Sequence, residues 1–153
     1  MRAMIGCLLG WVALACGSAG APREILDTDK TTMRASLDSF TAYVVTHRDS
    51  MAAAMYAEKA TFMPPNQSMV QGRAAIRAWI KTVPPMSHFT ASAIEINGCG
   101  DLAYVRGTYQ VAYLSGATEH GKFLEIRRGE KDGRWLIVAD IFNSDVPTAT
   151  SSR

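Results

Sequence analysis

Glu125 and Asp140 are the two residues of this chain whose types and spacing could move a proton between them and a bound molecule. Asp132-Gly133 is a strong two-residue hairpin signal between two runs of strand character. If those residues form the turn, Lys131 pairs with Arg134, and counting back sets Glu125 opposite Asp140 and Phe123 opposite Phe142. Side chains alternate faces along a strand, so the two acids and the two phenylalanines share one side. Like charges directly opposite are unfavourable, and burial adds to the cost. One carboxyl is therefore expected to titrate above its ordinary value and to give or take a proton. Arg127 on the same face, or Arg106 on a neighbouring strand, could instead pair with both acids as a structural salt bridge. A four-residue turn from Glu130 to Gly133 would set Glu125 opposite Val138 but keep both acids on one face.

Other chemistry-bearing residues read differently. Tyr43, Trp79, Tyr104, Tyr109, Phe123 and Phe142 serve either as core or as the lining of a cavity for an apolar ligand. Gly98 to Ala103 fits the letter of a dinucleotide fingerprint, but it lies between two strands and no helix opens after it. It reads as a turn, and Cys99 as its passive thiol. His47, His88 and His120 show no ligand spacing, so no metal and no organic cofactor is assigned.

The elements that must position these residues follow from periodicity. Met33, Leu37, Phe40 and Val44 recur at helical spacing, predicting a helix from Thr31 to about Thr46. Asp49 is an N-cap candidate for a short helix through Tyr56. A third helix starts after Gly72, buries Ile76, Trp79, Ile80 and Val83, and stops at Pro84-Pro85. Strands follow over Phe89 to Ile96, Leu102 to Leu114, Lys122 to Arg128 and Arg134 to Asn143, an antiparallel meander. Helices first and strands afterwards is the order of an α+β fold.

The ends bound the setting. Arg2, then an uncharged run from Ala3 to Cys16, then Gly17 to Ala21, is the layout of a secretory signal over residues 1–20. Two processing routes compete: lipidation at Cys16 after Ala13-Leu14-Ala15, or ordinary cleavage near Ser18 to Ala21. Residues 21–30 read as a tether, 31–147 as one domain and 148–153 as a disordered tail. The whole chain carries 16 basic and 14 acidic residues; losing Arg2 with the signal leaves 15 against 14, a net charge of +1. With no basic run, a nucleic-acid partner is disfavoured. The run from Trp135 to Phe142 is apolar on both faces, Trp135, Ile137, Ala139 and Ile141 on one and Leu136, Val138 and Phe142 on the other. One face then needs a cover, and a second copy of the chain is the simplest.

Two segments, YAEKATFMPPNQSMVQGRAAIRAW from Tyr56 to Trp79 and GRWLIVADIFNSD from Gly133 to Asp145, resemble the SnoaL-like branch of the nuclear-transport-factor-2-like superfamily. That branch includes ketosteroid isomerases, polyketide cyclases and many members of unknown function. The resemblance implies a strongly bent antiparallel sheet wrapped around N-terminal helices, a cone-shaped α+β barrel with a central cavity, often dimeric. It points Phe142 into the pocket and sets Glu125 where the isomerases keep an oxyanion-stabilising acid. Pro64 stands where those enzymes place their aspartate base, and Phe40 where they place a tyrosine, so classical steroid isomerisation is expected to be absent. The reading is an exported, envelope-bound or secreted domain that binds a small, largely apolar molecule and performs, if anything, acid–base chemistry on it. The alternative is a non-catalytic dimerising or adaptor module with a vestigial cavity.

Overall fold

The computed structural model describes residues 24–147. The expected signal at 1–20, Cys16 with both processing routes, and the tail at 148–153 lie outside them. Helix α1 (Asp27–Val45) opens inside the stretch expected as a tether and buries Met33, Leu37, Thr41 and Val44 along one stripe. Its early start has a local cause. Asp29 accepts the backbone N–H of Leu26 at 3.0 Å, and Asp27 and Asp29 place negative charge in the first turn. Helix α2 (Asp49–Ala54) is short and ends before Tyr56. Strand β1 (Tyr56–Met63), the two-residue β2 (Val70–Gln71) and helix α3 (Arg73–Ile80) follow. Gly72 precedes α3 with φ 86°, a conformation that favours glycine, and Ile76 and Ile80 form the helix's buried face.

Four long strands complete the chain: β3 (Met86–Cys99), β4 (Leu102–Tyr113), β5 (Thr118–Gly129) and β6 (Trp135–Ser144). β3 and β5 cover the stretches expected from alternation and run further at both ends, whereas β4 stops short of Leu114 and β6 begins after Arg134. The sheet order is β2-β1-β6-β5-β4-β3, so it is curved but does not close into a barrel. It departs from the antiparallel expectation at one place, because β1 runs parallel to β6. That pairing joins residues about 80 apart in sequence, and no local signal announces it. It sets Phe62 beside Asp140. The Gly98 to Ala103 stretch is the β3–β4 hairpin, with Gly100 at φ 64° and Cys99 exposed.

The β5–β6 hairpin is the part that sets the site. Its turn is neither of the two weighed from the sequence. Glu130 N–H bonds Arg134 C=O at 2.7 Å and Gly133 N–H bonds Glu130 C=O at 3.0 Å, with Gly133 at φ 84°. Glu130 therefore pairs with Arg134, and Arg127 with Ile137. One residue later the register shifts: Ile126 pairs with Ala139, leaving Val138 as an extra residue in β6. This bulge restores the register, so Glu125 faces Asp140 and Phe123 faces Phe142. It also corrects the assignment of faces along β6. Trp135 and Ile137 pack into the same core as Phe142, while Ile141 points outward.

Candidate functional site

A cavity of about 320 Å³ lies between the helices and the inner face of the sheet. Its walls are mostly apolar, and the largest side chains in them are aromatic. Phe40 comes from α1, Tyr56 and Phe62 from β1, and Trp79 from α3. Phe89, Tyr109, Tyr113, Phe123 and Phe142 come from the four long strands. Phe142 stacks on Phe62 with ring centroids 5.7 Å apart and meets the edges of Tyr109 at 5.6 Å and Trp79 at 6.3 Å. The Trp79 indole N–H donates to Gln67 Oε1 at 2.9 Å, which fixes the ring at the cavity wall.

Two glycines make room for this lining. Gly107 pairs directly with Phe123, and Gly121 with Tyr109. A Cβ at Gly107 would sit 2.6 Å from the Phe123 ring, and one at Gly121 would sit 2.8 Å from the Tyr109 ring. Both aromatic side chains therefore lie across a neighbouring backbone instead of standing upright on the sheet.

Glu125 and Asp140 both line the cavity and are only 4% and 7% exposed. Their environments differ. Arg127, 1% exposed, donates from Nε to Glu125 Oε2 at 2.7 Å, and its Nη1 donates to Ser36 Oγ. Its Nη2 lies 2.5 Å from the same Oε2 but is not aligned for a hydrogen bond, so the contact there is electrostatic alone. Asp140 has no basic partner within ion-pair distance among the described residues; it accepts the Tyr56 hydroxyl at Oδ2, 2.6 Å away. Burial, then the charge of Glu125, pushes the Asp140 carboxyl from its ordinary 3.8 up to about 7, against the opposing pull of Tyr56 and Arg127. The Tyr56 phenol is raised well above its usual range, chiefly by burial and then by Asp140, so it remains a donor. One oxygen of each acid, Glu125 Oε1 and Asp140 Oδ1, accepts no hydrogen bond among the described residues.

The sequence expectations divide clearly. Glu125, Asp140, Trp79, Tyr109, Phe123 and Phe142 come together around the cavity. Tyr104 does not: it lies on the outer face of β4 and donates to Glu95 at 2.7 Å, beside Arg106. Arg106 likewise pairs with Glu95 on that face and not with the buried acids. Tyr43 packs against the core but does not line the cavity. Sequence reasoning missed Tyr56, read as a helix end, and Glu119, which accepts the hydroxyls of Tyr109 at 2.7 Å and Tyr113 at 3.1 Å. Strand alternation could have found Glu119, two steps of two before Phe123 and on the same face.

Against known proteins, a family model described as SnoaL-like domain matches residues 37–138. No curated protein matches the chain. The fold is similar to that of a ketosteroid isomerase-like protein from Erwinia carotovora atroseptica, with 14% identity, a TM-score of 0.69, and 80% of this chain and 100% of that chain covered. A nuclear-transport-factor-2-like protein of unknown function from Pseudomonas putida is 15% identical, with a TM-score of 0.69 over 83% of this chain and 92% of that one. A protein of unknown function from Mycobacterium tuberculosis is 18% identical, with a TM-score of 0.69 over 77% and 72%. At such identities the likeness carries the fold alone.

Proposed function

The chain belongs to the SnoaL-like domain family, and from that premise we propose that its cavity binds a small, largely apolar molecule and performs cofactor-free acid–base chemistry on it. The observation that carries this reading is Asp140: a buried carboxyl on the cavity wall, directly opposite Glu125 and with one oxygen free to meet a ligand, which burial and the Glu125 charge push up to about 7. A group with that value is partly protonated near neutral pH and can take a proton from one position of a bound molecule and return it to another. Tyr56 orients the carboxyl by its hydrogen bond. Glu125, held by Arg127, supplies the negative charge that keeps Asp140 basic. The aromatic walls exclude water and hold the substrate's apolar body. The resulting reaction class is isomerase- or cyclase-like. Pro64 offers no carboxylate, so the proton does not move by the route of the classical steroid isomerases.

Thermal-shift screening of the purified protein against apolar small molecules tests the binding step. Stabilising hits are expected, and they should lose their effect in Trp79→Ala. A broad library without a single stabilising compound would support the non-catalytic module instead.

We propose in addition that residues 1–20 direct export to the bacterial envelope or beyond. Intact mass of the native protein distinguishes a lipidated Cys16 from a free N-terminus between Ser18 and Pro22. An unprocessed Met1 would rule out both routes.

A further inference from the structure

The charge of the cavity wall is one-sided. Among the described residues, three carboxyl side chains line it, Glu119, Glu125 and Asp140, and no Lys, Arg or His does. Arg127 reaches Glu125 from within the protein and does not face the cavity. Lys122, on the same strand, is engaged by Asp145. Of the three acids, Glu119 is the one with neither a basic partner among the described residues nor a deep site. Both its oxygens accept phenolic hydroxyls, Oε1 from Tyr109 and Oε2 from Tyr113. Each oxygen of a carboxylate can accept more than one hydrogen bond, so capacity remains for a donor from a ligand. The two phenols hold the group in one orientation. Burial and the Glu119 charge push Tyr113 up to about 12 and Tyr109 further still, so neither releases its proton to the acid at ordinary pH.

Glu119 also ends an aromatic row. It bonds Tyr109, whose ring meets Phe142, which in turn meets Trp79. Electron-rich ring faces attract an ammonium group, and a carboxylate among them supplies the counter-charge. Arg127 offsets Glu125 alone, so an anionic ligand would still meet Glu119 and Asp140 without a paired cation among the described residues.

We infer that the cavity selects a small apolar molecule carrying a positively charged nitrogen, with Glu119 as its counter-ion and the Tyr109–Phe142–Trp79 row packing its body. This rests on the ligand-binding reading above and names the class of ligand.

Isothermal titration of the whole chain with naphthylethylamine, naphthylethanol and naphthylacetate separates charge from shape. The amine is expected to bind about tenfold more tightly than the alcohol, a typical gain for a charge-assisted contact. The acetate should be weakest. Glu119→Gln, which keeps an amide oxygen as acceptor for one phenol and turns an N–H toward the hydroxyl oxygen of the other, should bring the amine to within about twofold of the alcohol. Added salt should weaken the amine alone in the unaltered protein, a readout independent of how that variant folds. Equal binding of amine and alcohol overturns the charge preference and leaves the apolar-ligand reading standing. An amine preference that survives in Glu119→Gln overturns the role of Glu119. Failure of all three probes is failure of the apolar-ligand reading, and the charge preference falls with it.

Discussion

The hydroxyl of Tyr56 donates to Asp140 at 2.6 Å across the parallel pairing of β1 with β6. The first residue of the first strand thereby orients an acid in the middle of the last one. The same acid faces Glu125 on β5, so Asp140 lies between a donor and a like charge. The charge and the burial outweigh the donor, which is why the carboxyl is raised and not lowered.

Asp140→Asn keeps an acceptor for Tyr56 and removes the charge. In the fold Asp140 holds its proton up to about 7, and in the unfolded chain only to near 3.8. Between those values the folded state binds more protons. The group's contribution to stability is thus fully present below about pH 4 and is lost as pH rises through about 7. The difference sets an upper bound of about 4 kcal/mol, and about 1–2 kcal/mol is expected once coupling to Glu125 and Arg127 is allowed for. Urea denaturation should show the Asn variant more stable than the parent at about pH 8, with the gap closing toward about pH 5. A gap that widens at low pH would contradict the assignment.

Arg127 is buried at 1% exposure and holds Glu125 and Ser36 at once. Arg127→Met should cost about 3–5 kcal/mol, because it leaves Glu125 as an uncompensated buried charge beside Asp140. Glu125→Leu added to it should recover most of that loss. Chemical denaturation of the single and double variants reads both effects, and a single-variant cost below about 1 kcal/mol would show that the pair is not coupled as drawn.

On the outer face of the sheet, Met63, Ile141 and Leu124 are direct neighbours on β1, β6 and β5. Ile141 is 37% exposed and Leu124 40%, where a wet face would carry polar residues. A second copy of the chain covering this row is the proposal. Light scattering at micromolar concentration should give a dimer, and Leu124→Lys with Ile141→Lys should give a folded monomer. A monomeric parent protein would contradict it.

How far the sequence could be read depended on the range of the interaction. Helix stripes and strand alternation are local, and from them the α+β order and the succession of strands in the meander were legible. Glu125 was expected opposite Asp140 from a turn that does not form; the Val138 bulge compensates for the longer turn, and no residue type marks it. The pairing of β1 with β6 spans nearly the whole domain, so Tyr56 could not be tied to Asp140 in advance. Tyr104 is a different case. It is five residues from Tyr109 on one uninterrupted strand, and alternation alone puts the two on opposite faces. Gly107 and Gly121 were equally unmarked, because their importance lies in the aromatic rings that cross them.

The most direct test of the central claim is a carbon-13 NMR titration of the Asp140 carboxyl in the intact protein, with Asp140→Asn assigning the resonance. A midpoint near 7, moving when Glu125 is replaced by Gln, is the predicted result: removing the like charge should lower it toward the ordinary carboxylate range. A midpoint near 4 that ignores Glu125 would mean that Asp140 is an ordinary carboxylate at neutral pH and that the cavity holds no group poised to shuttle a proton.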